Sequence, residues 1–197
     1  MAPAHRVMIR RCVRVRRRAV SEGAVMKIAA ILYDGTQSQR VDELIGELAS
    51  KLRAKGFMLA GAIQSNPAAA NRNRCDIVLE DLATRRVINA SEDRGALASG
   101  CRLDQSALEH VVGLATSSVG PTTDFVIVNR FGKQEAEGNG FRSLIEQAVT
   151  LDVPIIVGLN RAHVDSWSEF VGGEPQLLPM QIDTVVHWCM MQISLPN

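Results

Sequence analysis

KIAAILYDGTQSQRVDELIGELASKLRAKGFMLAGAI, residues 27–63, decides the fold. Lys27–Tyr33 is a continuous apolar run with Ile and Tyr, so it reads as a strand buried on both faces. Asp34–Ser38 is a polar turn. In Val41–Lys55 the apolar positions Val41, Leu44, Ile45, Leu48 and Leu52 follow the spacing of an amphipathic helix. Gly56 ends that helix, and Met58–Ile63 is a second strand. Strand, turn, helix and strand make a βαβ unit, with a right-handed crossover expected.

The alternation continues outward from that unit. Ser65–Arg74 is a loop. Cys75–Leu82 and Arg86–Asn89 read as strands around an Ala83-Thr84-Arg85 turn, an edge hairpin. Ser91–Arg102 is irregular. Asp104 is placed to cap a helix reaching about Ser117, with Leu108, Val111, Val112 and Ala115 facing inward. Phe125–Val128 is a buried strand, followed by the polar run Asn129–Glu135 and a helix over Phe141–Leu151. Pro154–Leu159 is a further strand. Val164–Phe170 and Met180–Met191 read as helices. The expected class is α/β, a three-layer arrangement with a mainly parallel sheet and helices on both faces.

Length and composition fit one α/β domain over residues 26–197. Apolar residues make up 46% of the 197 and charged residues 22%, enough for a core without metal or disulfide staples. Aromatics are only 4%, which argues against a base-stacking surface for single-stranded nucleic acid. Residues 1–25 hold seven arginines and one acid, Glu22. Taking these from the chain's 22 basic and 21 acidic residues leaves 15 and 20. A mildly acidic body with a basic extension is unlike a nucleic-acid-binding domain, whose fold itself carries the basic face. The extension is expected to be unstructured, its composition being too polar for a core. No apolar run reaches the length of a membrane span, and no secretory h-region is visible. The cysteines, 12, 75, 101 and 189, form no CxxC pair, so a cytoplasmic, reduced protein is expected.

In such sheets ligands sit at the C-terminal ends of the strands. Three turns share that rim, Asp34–Gln39, Asn129–Glu135 and Asn160–His163, and the irregular Ser91–Arg102 segment could fold over it; the first two turns and that segment are the candidates. The turn after the first strand, with Gly35 and Thr36, offers backbone N–H groups and a helix N-terminus to an anion; the alternative is an ordinary βα turn. Asn129–Glu135 offers Asn129, Lys133, Gln134 and Glu135, with Arg142 on the following helix. There Lys133 would stabilise charge and Glu135 or Glu137 would orient water. The alternative is a solvated, charge-balanced loop. Arg94 and Arg102, bracketed by glycines, would clamp an oxyanion or pair with neighbouring acids. Cys101 would be a nucleophile only if an imidazole approached it. No zinc spacing is present, and no metal site is assigned.

Three segments in order, CDIVLEDLATRRV (75–87), SEDRGALASGCRLD (91–104) and VNRFGKQEAEGNGFR (128–142), resemble a bacterial domain-of-unknown-function family. The resemblance runs from Met26 onward. Members of that family are often found beside molybdate-transport genes, which implies a role near molybdenum handling. More distantly, the layout is similar to thermophile-type nucleoside-triphosphatases of the P-loop class, implying a P-loop-NTPase-like fold. Two departures stand out. Asp34–Arg40 takes the place of the glycine-rich loop without its Gly-Lys-Ser/Thr. Asn129-Arg130 takes the place of an acidic pair, so Mg²⁺ and a triphosphate lose their main holders. The expected function is therefore a binding protein that holds a nucleotide or small oxyanion, phosphate or molybdate, at the sheet rim. The alternatives are a divergent nucleoside-triphosphatase or phosphotransferase, and a regulatory partner of molybdate-transport or molybdenum-cofactor proteins. A homo-oligomer remains open.

Overall fold

The structure, a computed structural model, describes residues 27–65, 77–91 and 103–194. The basic extension and the Arg94 and Arg102 segment lie outside the described residues, as does Cys101.

The strands are β1 (Ile28–Tyr33), β2 (Leu59–Ser65), β3 (Val78–Asp81), β4 (Val87–Asn89), β5 (Phe125–Phe131), β6 (Ile155–Asn160) and β7 (Leu177–Leu178). The helices are α1 (Ser38–Ala54), α2 (Gln105–Ser118), α3 (Lys133–Ala136), α4 (Arg142–Thr150), α5 (Val164–Val171) and α6 (Ile182–Ser194). One sheet runs β4-β3-β2-β5-β6-β1-β7. β2, β5, β6, β1 and β7 are parallel, while β3 and β4 form the expected antiparallel hairpin at the edge.

Alternation along the strands explains the three layers. Ala29, Ile31, Ile127 and Ile156 face one side and pack under α1 and α6 through Ile45, Leu48, Val185 and Trp188. Ala30, Val126, Val128, Ile155 and Val157 face the other and pack under α2, α4 and α5 through Val111, Leu144 and Trp167. Both faces are covered, so these strands are apolar throughout, as parallel strands are when helices cross over them. The arrangement is the P-loop-like α/β class, with β1 flanked by β6 and β7 inside the sheet.

The end of β5 corrects one expectation. Asn129, Arg130 and Phe131 are strand, not loop. Val128 pairs with Val157 and Phe131 with Leu159, so β5 carries one more residue than β6 between these pairs, which is a β-bulge. Phe131 is fully buried, its ring 5.0 Å from that of Trp167 and 5.6 Å from that of Phe170. Burial of that aromatic draws the polar pair into the strand. Likewise Lys133–Ala136 forms a single helical turn, and the two-residue β7 was not expected at all. It adds to β1 by pairing Ala30 with Leu177.

Candidate functional site

The C-terminal ends of β1, β5 and β6 meet the start of α1, and a polar network fills the junction. Asp42, on the inner side of α1, is 5% exposed. Its Oδ1 accepts from Asn129 Nδ2 at 3.0 Å and from Arg130 Nη2 at 2.5 Å. The β5 bulge permits this, because consecutive residues of a regular strand point to opposite faces. Gly158 of β6 admits the bulge: a Cβ there would lie 2.1 Å from the Asn129 carbonyl oxygen.

Two atoms in this network are buried and take no hydrogen bond, Asn129 Oδ1 and Arg130 Nε. Asn129 is 3% exposed. Its amide orientation follows from Asp42, since only the Nδ2 end can donate to a carboxylate. Such orphans are uncommon, and each calls for a reason.

Around this centre, Tyr33 is buried near the Asn160 side chain. Desolvation raises its phenol above the ordinary value, and the nearby Arg130 pulls it partly back. Asn160 caps the turn after β6, accepting from Ala162 N at 2.9 Å. Gly35 lies against it, a Cβ there being 3.7 Å from Asn160 Nδ2. Arg161 Nε donates to Asp34 Oδ1 at 3.0 Å across the rim. Two ion pairs lie on this rim, Asp42–Arg130 and Asp34–Arg161.

The residues expected at one site are distributed. Gly35, Thr36 and Asn129 belong to the rim. Lys133 is 78% exposed and 3.7 Å from Glu137. Glu135 is buried, and both of its oxygens are engaged. Oε2 accepts from Gly132 N at 2.9 Å and Oε1 from Phe141 N at 3.0 Å, which ties the 132–141 turn together. Arg142 Nε reaches Glu146 at 3.1 Å, and its guanidinium lies 4.6 Å above the Phe170 ring. Gln134 points elsewhere, into a cleft of about 650 Å³ between α2 and α4 that it lines with Gln105, Thr116, Asn139, Ser143 and Gln147.

These placements set expectations for two variants. Glu135→Gln should cost about 1–3 kcal/mol in urea unfolding, because one amide end faces a backbone N–H that it cannot accept from. Lys133→Ala should change stability by less than about 0.5 kcal/mol, its exposed ion pair being of little worth.

Sequence reading passed over Asp42, Arg130 and Tyr33 as site residues; Arg161 lies in the Asn160–His163 turn that it placed on the rim. A signal for Asp42 was present. With Ile45 and Ala49 three and seven residues on, it falls on the apolar stripe of α1, where an acid is rarely tolerated unpaired. Nothing in the spacing named Arg130 as its partner.

Cys189 is buried in the α6 layer, and burial pushes its thiol up to about 12. Cys189 and Tyr33 both hold their protons more tightly when folded. The Cys189 contribution to stability is complete below the ordinary thiol value of 9.0 and is lost as pH rises past it toward 12, and that of Tyr33 is lost as pH rises above the ordinary phenol value of 10.0. The unfolding free energy should fall over that interval, and native Cys189 should resist thiol reagents at neutral pH.

A family model described as "Protein of unknown function (DUF2478)" matches residues 28–188. The chain belongs to this family. This DUF2478 chain is also 26% identical, over 162 residues, to the molybdenum import ATP-binding protein ModC 2 of Bradyrhizobium diazoefficiens. That match covers 82% of this chain but only 18% of the ModC 2 protein. No solved structure matches the DUF2478 chain significantly. Among its described residues no helix is long and apolar enough to cross a membrane, and no group of three His, Cys, Asp or Glu side chains is placed to hold a metal ion.

Proposed function

We propose that this DUF2478 chain is a binding protein that holds a small oxyanion, or the phosphate portion of a nucleotide, at the C-terminal rim of its sheet. The observation that carries the reading is the pair of buried, unpartnered atoms, Asn129 Oδ1 and Arg130 Nε, beside the N-terminus of α1. Backbone N–H groups of the Gly35-Thr36 turn and the positive end of the α1 dipole add to the attraction. The similarity to a molybdenum import ATP-binding protein supports nucleotide and molybdate as members of the ligand panel. It also supports a partner among molybdate-transport or molybdenum-cofactor proteins.

The hydrolytic alternative needs a carboxylate free to orient water. Glu135 has both oxygens committed to backbone N–H groups, and Glu137 sits exposed beside Lys133. The geometry therefore favours binding over hydrolysis.

Isothermal titration with phosphate, ATP, GTP, molybdate and sulfate tests the proposal. At least one should bind, and Arg130→Lys, which keeps a cation near Asp42 but loses Nε and the planar fork, should weaken it by about tenfold or more. Absence of heat with all five at millimolar concentration would refute it.

A further inference from the structure

The cleft between α2 and α4 lies apart from the rim, since none of Asp42, Asn129 and Arg130 lines it. Its volume, about 650 Å³, is that of a small-molecule pocket. Residues four apart on a helix share one stripe. Gln105, Glu109 and Gly113 make such a row on α2, and Ser143 and Gln147 line the cleft from α4. Gln134 and Asn139 join them from the turn between β5 and α4. Asn139 N donates to Gln134 O at 2.8 Å in that turn, and the buried Glu135 ties it together.

The lining has a definite chemistry. Among the described residues no Lys, Arg or His lines the cleft, and Glu109 is its one charged side chain. The other polar groups are amides and hydroxyls. Among the described residues, the side chains of Gln105, Glu109, Gln134, Asn139 and Ser143 have no protein hydrogen-bond partner, so their donors and acceptors are available to a ligand. Gly113 sits inside α2, where glycine costs about 1 kcal/mol relative to alanine. A Cβ there would meet nothing within 4 Å among the described residues. Packing therefore does not require this glycine, and the missing side chain leaves the cleft open. Gly46 inside α1 is equally unhindered but lines no part of the cleft, which makes it a control.

From this we infer that the α2–α4 cleft binds an uncharged ligand bearing adjacent hydroxyls, as a sugar or a nucleoside does. A side-chain amide both donates and accepts, and so does a hydroxyl. The Glu109 carboxylate only accepts, and its two oxygens can each take one O–H of an adjacent pair. An anion would meet no cation in this lining and would be repelled by Glu109. A cation only donates, so it would leave the amide N–H groups unanswered. An uncharged polyhydroxyl ligand uses both halves of each amide.

The test is isothermal titration of the full chain with glucose and with adenosine. One of them should bind at millimolar concentration, and which one does so identifies the source of the hydroxyls. Each is compared with a partner that lacks the pair: tetrahydropyranylmethanol for glucose, deoxyadenosine for adenosine. The partner should bind about tenfold more weakly, as expected for losing a hydrogen bond to a charged group. Glu109→Gln, an exposed substitution that keeps the shape, should weaken the parent ligand by a similar factor. Gly113→Leu places the side chain of a good helix former in the cleft and should abolish binding, whereas Gly46→Leu should leave it unchanged. No binding of either parent ligand, equal binding of the partner lacking the pair, or unchanged binding in both Glu109→Gln and Gly113→Leu would overturn the inference. Inorganic phosphate titrated into Gly113→Leu reports on the rim alone, so the two sites succeed or fail separately.

Discussion

Gly61→Ala should leave little or no folded protein. Gly61 lies in the middle of β2 with φ at +107°, paired with Ile127 of β5. A Cβ there would sit 2.0 Å from the Ile127 carbonyl oxygen and 2.9 Å from its carbon. The obstacle is the backbone of a central strand, so no rotamer change relieves it. The strained dihedral alone costs about 1–3 kcal/mol. Separating β2 from β5 adds to this, taking the total beyond about 4 kcal/mol. That is a large share of the roughly 5–15 kcal/mol that holds a domain together. Gly56 and Gly172 also have positive φ, but a Cβ at either meets nothing within 4 Å. Gly56→Ala should therefore cost only about 1–2 kcal/mol, the left-handed penalty by itself. Soluble yield and urea unfolding of the two variants, side by side, separate the terms. A Gly61→Ala loss no greater than that of Gly56→Ala would rule out the close approach of β2 to β5.

Arg130→Met should destabilise the protein by about 3 kcal/mol. It leaves Asp42 buried with a charge that only the Asn129 amide then faces. Removing one partner of a buried ion pair costs about 3–5 kcal/mol, and the partial exposure of Arg130 places this case at the low end. Asp42→Asn combined with Arg130→Met should recover most of the loss, because neither a lone charge nor a lone cation remains. A double-mutant cycle read by urea unfolding measures the coupling, expected above about 1 kcal/mol. Additive effects would mean that the contact holds nothing together, and the rim would then lose its fixed donor. Asp42 orients both the Asn129 amide and the Arg130 guanidinium, so in the binding role proposed above it would set which of their atoms face a ligand.

Much of the fold was legible in the chain. The apolar runs of β1, β5 and β6 and the stripe of α1 are local patterns, and local patterns survive folding when both sheet faces are covered. The edge hairpin was legible for a similar reason, with a turn between two short β-prone runs. The end of β5 was not. Asn129 and Arg130 look like loop because they are polar, but they are strand because Phe131 beyond them is buried against Trp167 and Phe170. The candidate site was half legible. Its location at the rim followed from topology, and Gly35, Thr36 and Asn129 lie there. Glu135 and Arg142 read as site residues because charge near a strand end suggests function. In the structure Glu135 serves its own turn, and Arg142 covers an aromatic ring.

The sequence by itself determined the layer architecture, the edge hairpin and the absence of a Walker lysine, because each depends on residue type and spacing along the chain. Only the tertiary structure decided which polar side chains meet. Asp42 and Arg130 are 88 residues apart. No spacing rule links them, and their pairing required a bulge in β5, a glycine opposite it at 158 and a helix start at the same rim. Those three features lie on different elements, so their coincidence exists only once the sheet has formed.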